Sequence, residues 1–200
     1  LGISRTEFGY DPSHAYFTLP AYNFAVSGGS MYENRLNFEW ALEQGRLEKV
    51  LLVVDWRMFT NKTQKKLPDF ESYFESSRWA EYKYMFSFDA FLDSVEMIRT
   101  QNKSYAKYLP TGQRSHTYNW QNIKEKGGHL AAFKDHVTYY EDYNTEYTYG
   151  DTGNSGMKDF ERILKLAYQN DINLDIIFGP GHAWQWEAFS LTHSYEQWLQ

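Results

Sequence analysis

Apolar residues in this chain gather into short blocks separated by polar, glycine-punctuated turns. Residues 21–26 (AYNFAV) are one such run and stop at Ser27-Gly28-Gly29-Ser30, which predicts a strand ending in a tight turn. Ser30 and Glu33, three apart, predict a capping box opening a helix over 31–44, and Gly45 follows where a helix is best terminated. Leu36, Trp40, Ala41 and Leu47 give that helix its apolar stripe. Residues 49–55 (KVLLVVD) are a nearly unbroken β-branched and leucine run, the pattern of a strand buried on both faces of a parallel sheet. A right-handed strand, helix, strand crossover follows.

A second unit of this kind closes the chain. Phe160, Ile163, Leu164 and Ala167 fall at helical spacing within 157–170, after Asn154-Ser155-Gly156, and residues 174–178 (LDIIF) form the next expected buried strand. That strand runs into Gly179-Pro180-Gly181-His182, with another helix from Ala183 onward. Leu1-Gly2-Ile3-Ser4 reads as the tail of a buried strand whose beginning is missing, and Tyr195-Glu196-Gln197-Trp198-Leu199-Gln200 stops within a helical pattern, so the sequence reads as a fragment. The units together predict an α/β fold, a three-layer open parallel sheet in one domain over 1–200. Between them, residues 56–153 are polar and rich in Tyr and Trp, with one clear helix over 86–100 capped by Ser87. A loop-rich insertion of that length predicts a lid or binding wall.

Composition narrows the chemistry. The chain has no cysteine, which excludes disulfide scaffolds, Cys-ligated zinc and thiol catalysis. No stretch reaches the ~18 consecutive apolar residues of a membrane helix, and the visible N-terminus lacks a signal-peptide pattern. A formal net charge of −6 argues against a surface that neutralises duplex phosphates. Aromatic residues are in excess: 7 Trp, 17 Tyr and 14 Phe outnumber Leu, Ile, Val and Met combined. Tyr and Trp carry a polar tip, so such a composition builds a core and also lines a wet groove. Acidic residues interleave with the Lys and aromatic clusters at 79–85 and 105–108, which favours stacking on sugar faces over stacking on bases, and no nucleic-acid partner is expected.

In open α/β sheets, ligands bind beyond the carboxyl ends of the strands. Three segments fall at such ends: Gly2-Ile3-Ser4-Arg5, Ser27-Gly28-Gly29-Ser30 and Gly179-Pro180-Gly181-His182. Ser4 supplies a hydroxyl nucleophile, His182 a base, and the Gly28-Gly29 turn backbone N–H groups suited to an oxyanion, with Ser27 or Asn23 beside it. Each has a plainer reading. Ser4 also suits a turn or N-cap, His182 a loop histidine bonded to backbone, and the glycines a positive φ or a close helix approach. Arg5 suits a substrate carboxylate or an ion pair with Glu7 or Asp11, and Asp55 a site residue or the cap of the next turn.

Gly2-x-Ser4-Arg5 after a strand resembles the nucleophile block of the SGNH (GDSL-like) hydrolase superfamily. The Gly28-Gly29 turn is similar to its oxyanion block, and the late His182 to the block carrying its catalytic histidine. The combination GISRTEFGYDP, YNFAVSGGSMYE, VLLVVDWRMF and GPGHAWQWEA resembles a poorly characterised bacterial group of SGNH-like proteins usually preceded by a membrane anchor. The resemblance implies a flavodoxin-like fold, an extracytoplasmic location, and a serine esterase or O-acyltransferase acting on envelope or secreted carbohydrate without a cofactor. It leaves a second possibility, a non-catalytic relative that binds glycan or serves in assembly. The sequence departs from the superfamily where its acid would stand, since Gly179 and Pro180 precede His182; Asp55 or Glu187 is then the candidate orienting carboxylate. Asn61 is a displaced counterpart of the third block's Asn. Trp184 and Trp186, just after His182, are the candidate sugar-stacking residues, with Arg5 as a further substrate contact. His129 and His136, with Asp135, lie two helical turns apart, roughly 10 Å, too far for one metal ion, so no metal site is expected. Oligomeric state leaves no mark on the pattern.

Overall fold

A computed structural model of the chain describes residues 1–17, 20–60, 85, 87–100, 106–137 and 155–199. The architecture is mixed α/β, with helices packed on a small parallel sheet. Its best-defined unit keeps the helix and the second strand that the pattern predicts over 31–55. Helix α1 (Ser4–Gly9) leads to α2 (Met31–Glu43), whose capping box is complete: Ser30 Oγ accepts from the Glu33 N–H, and Glu33 Oε2 accepts from the Ser30 N–H at 2.6 Å. Strand β1 (Lys49–Val54) pairs in parallel with β2 (Asn173–Phe178), in a register that sets Leu52 beside Ile176. Val50, Leu52 and Val54 alternate onto one face and form the core with Met31 and Phe38 of α2. Ile163 and Ala167 of α6 (Gly156–Gln169) complete that core, so the two capped helices share one face of the sheet.

The opening residues extend the sheet. Leu1 N donates to Leu51 O and Val53 N to Leu1 O, the alternation of a parallel pair. On the other side of this segment, Val26 N donates to Gly2 O. Lateral backbone hydrogen bonds therefore run from 21–26 to 1–3, then to β1 and β2. The strand expected over 21–26 forms no ladder, because Asn23 N turns to Thr111 O and only Val26 N reaches the neighbouring segment.

Two further expectations are corrected. Residues 174–178 were expected to be buried on both faces, yet Ile176, Ile177 and Phe178 are exposed, Phe178 by 73%. The reason is position: β2 has β1 as its single hydrogen-bonded neighbour among the described residues, and its Leu174, Ile176 and Phe178 main-chain groups face outward. Ser4, expected at a turn, opens α1 directly, with Ile3 as its cap and the Ile3 carbonyl accepting from Thr6 and Glu7.

Of the insertion at 56–153, the described parts are helices and one small hairpin. A 3₁₀ turn (Trp56–Phe59) leaves β1, and helices α3 (Phe88–Thr100), α4 (His116–Glu125) and α5 (His129–Val137) follow. Ser87 caps α3 by accepting from the Ala90 N–H, as its position predicts, but Phe88, Phe91, Leu92 and Ile98 of its apolar stripe are exposed. A small hairpin bridging Tyr108 and Arg114 precedes α4 and fastens the insertion to the first unit: Arg114 N donates to Glu7 O, and Gln113 Nε2 to Phe8 O. Asn61 and the tyrosine-rich tract 139–147 lie outside the described residues. Helices α7 (Ala183–Ser190) and α8 (His193–Leu199) end the chain. No helix among the described residues is long and apolar enough to cross a membrane.

Candidate functional site

The carboxyl end of the sheet is organised by Arg5. It follows Ser4 in α1, and its guanidinium donates both to the Asp55 carboxylate at the end of β1 and to Gln185 Oε1 in the first turn of α7. An arginine has several donors in a fixed plane, so one side chain serves two acceptors on different elements. Asp55 is buried and has a second task, capping the 3₁₀ turn by accepting from the Arg57 N–H at 3.0 Å. Arg5 thus pairs with Asp55 rather than with Glu7 or Asp11. Glu7 faces Arg114 at 3.8 Å, and burial together with the Glu7 carboxylate pushes the pKa of the Tyr108 hydroxyl up to about 12. Asp11 caps its own turn by accepting from the Ser13 N–H and hydroxyl.

Helix α7 is docked from beneath by an aromatic stack. Trp56 and Phe189 lie nearly parallel with centroids 4.0 Å apart, and both are buried. Gln185 and Phe189, four apart on α7, share the inward face, so the arginine contact and the stack act on the same side of the helix. His182 is the N-cap: its Nδ1 accepts from the Trp184 N–H at 3.2 Å. The neutral ring then carries its proton on Nε2. The imidazole packs against Phe133 of α5 at 4.6 Å and Trp184 at 6.0 Å, and Phe133 and Trp184 lie 5.6 Å apart. Trp184 remains 55% exposed, which leaves an aromatic platform on the rim of the site. Trp186 sits over Gly181 so closely that a Cβ there would lie 2.3 Å from its indole nitrogen, which explains the glycine.

Among the described residues, then, Arg5, Asp55 and Gln185 of α7 meet, with Ser4 preceding Arg5 in α1 and His182 capping α7. No hydrogen bond joins Ser4 to His182, and none joins Asp55 or Glu187 to the imidazole. In the glycine turn, Gly28 adopts φ 69°, while the Gly29 N–H is taken by Val26 O at 2.9 Å. Asn23 has spent its amide on the Thr6 and Tyr10 carbonyls and its Oδ1 on the Ala25 N–H, so it holds α1 against 21–26. His129 stacks on Trp120 at 5.3 Å, and among the described residues no cluster of three or more His, Asp or Glu is arranged to hold a metal.

Sequence reasoning missed Gln185. It is 2% exposed, its Oε1 faces Arg5, and its Nε2 has no hydrogen-bond partner among the described residues, a situation that costs about 1–3 kcal/mol. The available signal was spacing, since a polar residue four before Phe189 lies on the apolar side of the helix. Compared with protein-family models, with curated proteins and with solved structures, the chain finds no match.

Proposed function

We propose that the protein is a serine esterase or O-acyltransferase acting on acylated carbohydrate, with Ser4 as nucleophile and His182 as proton acceptor. One observation carries the reading: Arg5 grips both Asp55 and Gln185, tying the segment that bears Ser4 to the helix that begins at His182. The lateral order 21–26, 1–3, β1, β2 supports a flavodoxin-like sheet of order 2-1-3-4, in which this end is the ligand-binding end. Ser4 Oγ adds to the ester carbonyl carbon, and the π pair moves to the carbonyl oxygen. The Ser4 proton goes to the Nδ1 lone pair of His182, which releases the Trp184 N–H as it does so. Collapse of the adduct breaks the bond to the sugar oxygen, which takes the proton from His182, and water or a second hydroxyl then receives the acyl group from Ser4. The Phe133, His182 and Trp184 rings give the C–H face of a sugar a surface to stack on. The resemblance to SGNH-like proteins favours an extracytoplasmic setting and needs no cofactor.

A second reading, a glycan-binding or assembly protein without catalysis, is favoured by one specific contact: the His182 Nδ1 pair is engaged by the Trp184 N–H, with no carboxylate on the ring. Acetate release from a peracetylated oligosaccharide separates the two. The esterase reading expects release by the intact chain, loss in Ser4→Ala and His182→Ala, and a raised KM in Trp184→Ala. Binding of the oligosaccharide with no release, unchanged in Ser4→Ala, would establish the second reading instead.

A further inference from the structure

We infer that Gln185 is the oxyanion donor of this site, a deepening that rests on the acyl-transfer reading of Ser4 and His182. A guanidinium only donates, so the contact with Arg5 fixes the Gln185 oxygen toward Arg5 and turns Nε2, a donor, away from it. That nitrogen is buried and unpaired among the described residues. A buried amide held by Arg5 at its oxygen and left without a partner at its nitrogen is a donor kept ready for an oxygen. Its placement fits. Gln185 is the third residue of α7, whose N-cap is His182, and its partner Arg5 adjoins Ser4. Gln185 therefore links the nucleophile's segment to the base's helix.

Three nitrogen donors of the first unit are spent. The Gly29 N–H is bonded to Val26 O, the Ser30 N–H to Glu33 Oε2, and the Asn23 amide to two carbonyls of the first unit. Arg5 also strengthens the donor, because a cation bonded to an amide oxygen draws electron density from its nitrogen and makes that N–H group more acidic. In the addition step the carbonyl π pair moves onto oxygen as the Ser4 Oγ–C bond forms, and the Nε2–H group donates to that oxygen without transferring its proton. The ligand class is an ester carbonyl, neutral before reaction and anionic in the transition state.

The test uses Gln185→Glu, which keeps an oxygen for Arg5 and replaces the donor by an acceptor of the same shape, and Gln185→Met, which removes both groups at similar length. Acylation by p-nitrophenyl acetate is followed in each, with Ser4→Ala as control and thermal unfolding to identify folded variants. The expected result is a Ser4-dependent rate lowered about 10²–10³-fold in whichever variants are folded. Folded variants reacting at the wild-type rate, with Ser4→Ala inactive, would overturn the donor role and leave the esterase reading in place. A wild-type rate no higher than that of Ser4→Ala would overturn both.

Discussion

At the scale of single residues, the site is governed by how few donors and acceptors are shared among several tasks. Asp55 both neutralises Arg5 and caps the turn after β1, and Arg5 spends a further donor on Gln185. Removing the carboxylate leaves a partly buried guanidinium without its counter-charge and the Arg57 N–H without its acceptor. Asp55→Ala is therefore expected to lower the unfolding free energy by about 2 kcal/mol in a urea titration, less than for a fully buried pair because Arg5 is a quarter exposed. An unchanged midpoint would show that Arg5 is held by other contacts. His182 shows the same economy, since the ring nitrogen to which the proposed reaction assigns proton transfer caps its own helix at rest.

At the scale of elements, legibility followed from locality. The capping box of α2, the cap of α3 and the run of β1 are set by residues within a few positions of one another, and each formed where the pattern put it. The contacts that make the site are long-range: Arg5 to Asp55 and to Gln185, Trp56 to Phe189, Phe133 to His182. Nothing in local periodicity encodes a partner 180 positions away, so Gln185 and the true partner of Arg5 were not legible, whereas Ser4, Asp55 and His182 were nameable as candidates by type and strand-end position. The exposure of β2 was illegible for a related reason, because an apolar run reports what a strand can pack against rather than what neighbours it has.

The packing of α2 on α6 offers a test on this scale. Arg35 bridges the helices, donating to Asp159 Oδ1 at 2.8 Å and to Glu39 Oε2 at 2.5 Å. Burial raises the Asp159 pKa, with Arg35 opposing it. A carboxyl whose folded pKa lies above its unfolded value binds its proton more tightly when folded. Its contribution to stability is then greatest at low pH and is lost as pH rises through the folded value. Asp159→Asn keeps an oxygen for Arg35 and removes that decline. The stability of the variant relative to wild type should rise as pH increases from about 3.9, the ordinary Asp value, and then level off. A relative stability that falls with pH would mean that the ion pair outweighs burial.

At the scale of the whole molecule, the fold gathers chemistry at one end of a small sheet. The capped helices fill one face, the hairpin at 107–115 clamps the first unit, and α7 is drawn to the strand ends by Arg5 and the Trp56–Phe189 stack. The aromatic excess divides accordingly: Phe38, Trp56, Phe59 and Phe189 are core, while Trp184 and Phe133 flank His182 at the rim. The central claim is that this end carries a reactive serine. It is tested most directly by treating the intact chain with a fluorophosphonate and locating the adduct by peptide mapping. The account predicts a covalent adduct on Ser4, formed more slowly in His182→Ala and absent in Ser4→Ala. Recovery of the Ser4 peptide unmodified, or equal labelling of Ser4→Ala, would contradict it.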